Sequence, residues 1–309
     1  METKIIKGDV IKDKIFMEVK NEIANLVSIY NKLPGIAFIG FSCIPLSKYN
    51  IPFHIQIAEA AGFKVDKYIK EENTTEKELF ELIDALNINA NIHAIVLLQP
   101  LPEHLNPIRI INKIDPLKEV EGFHPQNMLS TMIPDIETSV YPMCLPSALF
   151  ELFSDAGIQL TEDQEWVFVL DDEFFNNSLT NMVVKSAASK VVQRKSTVSY
   201  VNKNSKDIIT YCKRADILVV VTKFPEYIQA EWLKPGVCII DIYSNLVKEI
   251  PSKEAPGKLI PIIRGGVNVD SILNIASAIV PIPGGLMSVV LSVLLRNALI
   301  SFKNTLRKP

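Results

Sequence analysis

Cysteine is scarce in this sequence. Cys43, Cys144, Cys212 and Cys238 lie far apart, and no C-x-x-C pair occurs. That argues against a disulfide framework or a zinc site and for a reducing compartment. An excess of one charge is lacking too: 32 Lys and Arg against 35 Asp and Glu leave a formal net charge of -3. Nucleic acid and anionic membranes are therefore not expected partners. No uninterrupted apolar run reaches membrane-spanning length, and the opening METKIIKGDVIKDKIF lacks the apolar core of a signal peptide. Together these absences predict a cytoplasmic protein. Glycine is missing locally, with none from Ile158 to Pro235.

What is present is ordinary globular material: 309 residues, 48% of them hydrophobic and 22% charged. Such a chain can bury a sizeable core and favours two domains. Apolar runs alternate with amphipathic stretches. Ile36–Phe41, Phe63–Tyr68 and His93–Leu98 read as strands, and Thr75–Ala90 as a helix with Thr75 as cap. Leu105–Ile114 and Ser147–Ala156 are helix candidates. A second alternation follows: strand Trp166–Leu170, helix near Leu179–Ser189, strand Thr197–Val201, helix near Ser205–Lys213, strands Ile217–Val221 and Val237–Ile242, and a final helix Leu286–Lys303. The alternation implies mostly parallel α/β sheets, the second one doubly wound and Rossmann-like.

Three stretches carry a resemblance. The first is Gln99-Pro100-Leu101-Pro102-Glu103-His104-Leu105 with Pro116-Leu117-Lys118-Glu119-Val120-Glu121-Gly122-Phe123-His124-Pro125-Gln126-Asn127. The second is Ala215-Asp216-Ile217-Leu218-Val219, then Trp232, Lys234-Pro235-Gly236 and Asp241; the third is Pro281-Ile282-Pro283-Gly284-Gly285. In order and spacing they resemble the signatures of the bifunctional methylenetetrahydrofolate dehydrogenase/cyclohydrolase family. The resemblance implies a two-domain α/β fold, a folate cleft between the domains and a homodimer. Residues 1–146 would form the folate domain, completed by a 286–309 helix packing back on it, and 147–285 the Rossmann-like domain. The family oxidises 5,10-methylenetetrahydrofolate with NAD or NADP and hydrolyses the methenyl product.

The nicotinamide side departs from the pattern. Phosphates need a turn in which backbone N–H groups approach closely, usually at glycine. The family's G-R-S-x-x-V-G-x-P run reads Leu170-Asp171-Asp172-Glu173-Phe174-Phe175-Asn176-Asn177-Ser178 here. Three carboxylates, Asp171, Asp172 and Glu173, stand where phosphate needs positive charge. The family's C-H-S reads Val201-Asn202-Lys203, and Lys223 replaces a later glycine. On these residues no bound NAD(P) is expected.

On the folate side, the family's S-x-x-Y-x-x-x-K aligns with Ser47, Asn50 and His54. A histidine can serve as acid or base near neutral pH; packing is the other reading of His54. Pro52 raises the expectation that this helix starts near Asn50, with the proline in its first turn. The family glutamine aligns with Leu98, and Gln99 is its neighbour. Glu121 matches the acid that anchors the pterin, and its carboxylate can accept two N–H bonds from a 2-amino-pyrimidinone. Pro283, Gly284 and Gly285 belong to the same expected site; no metal is expected, and His124 is read as structural. The combination favours a tetrahydrofolate-binding enzyme that transfers a methylene group to an unidentified amine without redox chemistry. A non-catalytic relative that binds folate or a partner, and an ordinary dehydrogenase/cyclohydrolase, stand as alternatives.

Overall fold

The computed structural model describes residues 2–132, 141–158, 160–171, 195–253 and 257–306. The chain divides into two compact units. One combines Met1–Ile11 with Ala148–Val289, the other Lys12–Ser147 with Val290–Pro309.

The second of these is built on a three-stranded parallel sheet. Strand β2 (Gly35–Phe41) lies between β3 (Lys64–Lys70) and β4 (Ala94–Leu97). Every residue of β2 and β4 is buried, which explains their unbroken apolar runs. Beyond β4, Ile95 forms a parallel bridge with Glu119, so the chain continues the sheet there. Helix α1 (Asp9–Tyr30) buries Ile15, Val19, Ile23 and Leu26 at helical spacing. Helix α2 (Ser47–Ala61) ends at Gly62, which has φ 102° and is the left-handed terminator its position suggests. Helix α3 (Glu76–Ile88) starts with a capping box: Thr75 accepts the Glu78 N–H, and Glu78 accepts the Thr75 N–H.

Two short helices follow, α4 (Pro107–Ile111) and α5 (Pro125–Met132); α6 (Cys144–Ala156) opens in this unit and belongs to the other from Ala148 on. Helix α4 covers only part of the expected Leu105–Ile114, because Asn106 caps it late and Pro107 opens its first turn. The part of the last helix from Val290 to Leu306 belongs to this unit, as expected of a helix packing back on the first domain. Its Asn297 donates to the carbonyls of Val120 and Pro142 at 2.9 and 3.0 Å. Its Ser301 donates to those of His93 and Leu117.

The other unit holds a six-stranded sheet in the order β1-β11-β8-β7-β5-β6, every pairing parallel. Its strands are β1 (Lys4–Ile5), β5 (Glu165–Leu170), β6 (Thr197–Asn202), β7 (Ile217–Val221), β8 (Cys238–Asp241) and β11 (Ala278–Val280). Helix α7 (Ile208–Arg214) and a 3₁₀ turn at Ala230–Trp232 add to its core with Cys212, Val220 and Ile239. Strands β9 (Asn245–Pro251) and β10 (Leu259–Arg264) form an antiparallel hairpin. A short α8 (Val269–Ile272) precedes β11, and α9 (Leu286–Leu306) closes the chain. By length and composition α9 could cross a membrane, but 67% of its most apolar stretch is buried inside the fold. The helix expected near Leu179–Ser189 lies outside the described residues.

Candidate active site

Of the expected folate residues, Ser47, Asn50, His54, Leu98, Gln99 and Glu121 follow the carboxyl ends of parallel segments. Strand β2 runs out at Phe41 toward α2, β4 at Leu97 toward Leu98 and Gln99, and the Glu119 bridge toward Glu121. The crevice outside the carboxyl ends of parallel strands is where such sheets bind ligands.

Helix α2 starts at Ser47, not near Asn50. Pro52 is its sixth residue, brings no N–H to the turn before it, and sits on the exposed flank. The helix is continuous, so Ser47, Asn50 and His54 share one side of it. His54 Nδ1 lies 2.6 Å from the Asn50 carbonyl oxygen. A carbonyl only accepts, so Nδ1 carries the proton and Nε2 keeps its lone pair. The ring stands edge-on to Phe38 of β2 and to Phe53, at centroid distances of 6.0 and 6.3 Å. Burial lowers its pKa from the ordinary imidazole value, so the neutral form dominates at neutral pH.

Leu98 is half-buried against Gly40, where an added Cβ would lie 3.5 Å from Leu98 Cδ1. Gln99 is exposed, lies beyond the end of β4, and precedes a cis peptide bond to Pro100.

Glu121 is held by a partner that the motif alignment left without a role. Glu119 is buried, and its carboxylate accepts the backbone N–H groups of Glu121 and His124 at 3.0 and 2.8 Å and the Asn127 amide at 3.3 Å. Burial, and then the nearby Glu119 charge, push Glu121 well above the usual carboxylate range. Gly122 follows with φ 83°, and an added Cβ would lie 2.6 Å from Met143 Cα. Only glycine fits both constraints. His124 is buried and its Nδ1 accepts the Gln126 N–H at 3.2 Å, consistent with a structural role. Cys144, beside Val120 and Asn297, has its thiol pushed well up by burial. The alternation Glu119-Val120-Glu121 was the available signal for Glu119: two acids facing one way in an extended segment require one of them to be satisfied internally.

Pro283, Gly284 and Gly285 lie in the other unit, after β11. Gly284 has φ 94° and its N-terminal neighbour Pro283 follows a cis bond. Gly285 is packed so closely that an added Cβ would lie 2.4 Å from the Pro281 oxygen. Gly8 anchors this loop by donating to the Gly284 carbonyl at 2.9 Å.

At the carboxyl edge of the six-stranded sheet, Asp171 is not a free charge. It is buried and accepts the Thr222 hydroxyl at 2.8 Å and the Lys223 backbone N–H. Asn245 donates to the Thr222 carbonyl at 3.0 Å. Asp241 accepts the N–H groups of Gly266 and Val267 at 3.1 and 3.0 Å, and burial lifts its pKa to about 7. Asp172 and Glu173, with the rest of the expected run to Ser178, lie outside the described residues. Lys203, after β6, brings a cation to the same edge, its Nζ 4.1 Å from the centre of the half-exposed Phe224 ring.

Two parallel α/β units, one of them doubly wound, each with polar groups at the ends of its strands, define a two-domain α/β protein of the dinucleotide-binding type. Comparison with known proteins narrows the class. The family model described as tetrahydrofolate dehydrogenase/cyclohydrolase, catalytic domain, matches residues 6–121. Its NAD(P)-binding domain counterpart matches residues 143–306. The Bifunctional protein FolD of Desulfosudis oleivorans is 34% identical over 303 residues, 98% of each chain; that of Desulfatibacillum aliphaticivorans is 35% identical over the same length and share. Among solved structures, the Trypanosoma brucei methylenetetrahydrofolate dehydrogenase-cyclohydrolase complexed with NADP and an inhibitor is 26% identical with a TM-score of 0.82, covering 100% of both chains. The chain belongs to the tetrahydrofolate dehydrogenase/cyclohydrolase family.

This corrects the expectation that NAD(P) is absent. A model for an NAD(P)-binding domain spans the second half of the chain, and a similar protein matched along its full length holds NADP. The expectation counted three adjacent carboxylates as repulsive. Asp171, however, turns inward, its carboxylate accepting the Thr222 hydroxyl and the Lys223 backbone N–H; Asp172 and Glu173 lie outside the described residues. The Lys203 ammonium and the half-exposed Phe224 ring at the same edge suit an anionic dinucleotide. Methylene transfer to an amine and loss of dehydrogenase activity find no support in the comparisons, which fit the dehydrogenase/cyclohydrolase alternative better.

Proposed function

We propose that this protein is an NAD(P)-dependent methylenetetrahydrofolate dehydrogenase that also hydrolyses the methenyl product. The reading rests on one observation above all: Ser47, His54, Leu98 and Glu121 all follow the carboxyl ends of adjacent parallel segments of one sheet. Family membership supplies the substrate class.

Glu121 binds the pterin. As a carboxylate it accepts two N–H bonds from the 2-amino-pyrimidinone edge, and Glu119 fixes its main chain. Leu98 lies at the family glutamine's place and offers an apolar wall beside Gly40 instead of an amide. When bound, the nicotinamide supplies the hydride acceptor for oxidation. Lys203 and the Pro283–Gly285 loop are the residues of this chain that would hold it.

The hydrolytic step uses His54. With Nδ1–H donated to the Asn50 carbonyl, the Nε2 lone pair takes a proton from water as its oxygen bonds to the methenyl carbon and the C=N electron pair returns to nitrogen. One carbon–nitrogen bond of that adduct then breaks as its nitrogen gains a proton and the new hydroxyl loses one, leaving the formyl product. The ring nitrogen that receives the proton later releases it to solvent. A lysine at this place would need to lose a proton to do the same; the neutral imidazole is ready at neutral pH. Calorimetric titration with tetrahydrofolate and with NADP tests the reading. Binding of both is expected, and binding of neither would overturn it.

A further inference from the structure

Helix α9 is apolar over most of its length, yet it buries Asn297 completely. An amide in such surroundings costs free energy unless its hydrogen bonds are made. Its nitrogen makes two: Nδ2 donates to the carbonyls of Val120 at 2.9 Å and Pro142 at 3.0 Å. A carbonyl only accepts, which fixes the orientation of the amide. Its Oδ1 has no hydrogen-bond partner among the described residues. The side chain therefore serves as a donor. A leucine of similar size would fill the same space without burying an unmet acceptor.

The two carbonyls frame Glu121. Val120 precedes it in the chain. Pro142 lies two residues before Cys144, whose backbone N–H donates to the Glu121 carbonyl at 3.0 Å. The Cys144 thiol lies 3.4 Å from both the Val120 oxygen and the Asn297 nitrogen. Between these contacts Gly122 packs against Met143. Glu121 is thus held by Glu119 at its N–H, by Cys144 at its carbonyl and, through the preceding peptide, by Asn297. All of these residues belong to one compact unit. One helical turn on, Ser301 donates to the carbonyls of His93 and Leu117, so it docks the same helix on other peptides.

We infer that Asn297 is a positioning residue for the pterin-binding carboxylate of Glu121. The inference deepens the folate-binding part of the proposed function and rests on it. Being wholly buried, Asn297 acts on the pterin only through Glu121. A carboxylate that meets two parallel N–H donors tolerates little displacement, because both bonds must keep their length and angle. Loss of the amide unties the Val120 peptide from Pro142, and the acid loses its aim while keeping its charge.

The test is a double-mutant cycle on the full chain, read by calorimetric titration with tetrahydrofolate and with NADP. Asn297→Leu should weaken tetrahydrofolate about tenfold and leave NADP within about twofold. In the Glu121→Gln background the same substitution should weaken tetrahydrofolate by less than about twofold, since the group it positions is gone. Ser301→Ala is the control for docking of the helix: it should lower the thermal midpoint and leave tetrahydrofolate affinity within about twofold. If Asn297→Leu fails to fold, Asn297→Ser, which keeps one donor, takes its place in the cycle with about a threefold loss expected. Unchanged affinity in the folded Asn297 variant, or a loss of equal size in the Glu121→Gln background or in Ser301→Ala, would overturn the positioning assignment and leave the folate reading intact. Failure of the wild type to bind tetrahydrofolate would overturn both.

Discussion

The carboxylate of Glu119 accepts the backbone N–H of Glu121 at 3.0 Å, so one buried acid fixes the chain that presents the next. The arrangement also sets charge against charge. Burial and Glu119 raise the Glu121 pKa well above its ordinary value, so free Glu121 holds its proton to higher pH than an ordinary carboxylate. A pterin that donates two N–H groups needs the carboxylate. Tetrahydrofolate binding should therefore release a proton, and affinity should rise with pH through the Glu121 transition. Titration in buffers of different ionisation enthalpy reads that proton directly. Glu121→Gln should abolish the release and weaken binding by about 2 kcal/mol. Unchanged affinity would remove Glu121 from the site.

His54 should matter to hydrolysis more than to oxidation. His54→Ala should slow methenyl hydrolysis about a hundredfold while leaving NADP affinity unchanged. Because its pKa lies below the ordinary imidazole value, the wild-type hydrolysis rate should stay level through neutral pH and fall only in acid, as Nε2 takes a proton. An unchanged rate in His54→Ala would return the residue to packing between Phe38 and Phe53.

Gly122→Ala tests the loop that carries Glu121. A left-handed φ of 83° and a Cβ 2.6 Å from Met143 Cα should together cost about 2 kcal/mol or more. A lower urea midpoint and weaker tetrahydrofolate binding are expected. Neither change would mean that the loop does not depend on this backbone geometry.

His93 gives the fold an acid limit. It is buried, its Nδ1 accepts the Gly35 N–H at 2.8 Å, and burial followed by the charges of Lys32 and Lys118 lowers its pKa from 6.5 to about 4. Above pH 6.5 both folded and unfolded chains hold it neutral, and it contributes no pH dependence. Below that the unfolded chain takes the proton first, so stability falls as pH drops from 6.5 toward 4. By pH 5 the loss should be about 2 kcal/mol. Urea unfolding at pH 7 and pH 5 should show it in the wild type and not in His93→Asn, whose amide oxygen can still accept from Gly35. Equal pH slopes would contradict this origin.

Much of the architecture was legible because buried parallel strands write themselves as unbroken apolar runs; Ile36–Phe41 and Ile217–Val221 are examples. Gly62 and Thr75 marked helix ends through local chemistry alone. Helix α1 is hard to read in the sequence because charged residues are interleaved with its apolar ones from Asp9 to Glu22. The hairpin of β9 and β10 was missed because neither strand is well buried and neither alternates cleanly. Interior Pro52 misled because helix context outweighs local preference. At the site, motif spacing marked Glu121, but not that Glu119 orients it. Asp171 misled for a related reason. Sequence shows a carboxylate and not its direction, and only the fold reveals that it turns inward to the Thr222 hydroxyl and the Lys223 backbone N–H.

The most direct measurement follows absorbance while the purified protein is mixed with 5,10-methylenetetrahydrofolate and NADP. Reduced nicotinamide should appear at the expense of methylenetetrahydrofolate, with methenyl product that decays by hydrolysis and accumulates in His54→Ala. Binding of both ligands without any reduced nicotinamide would contradict the proposed activity.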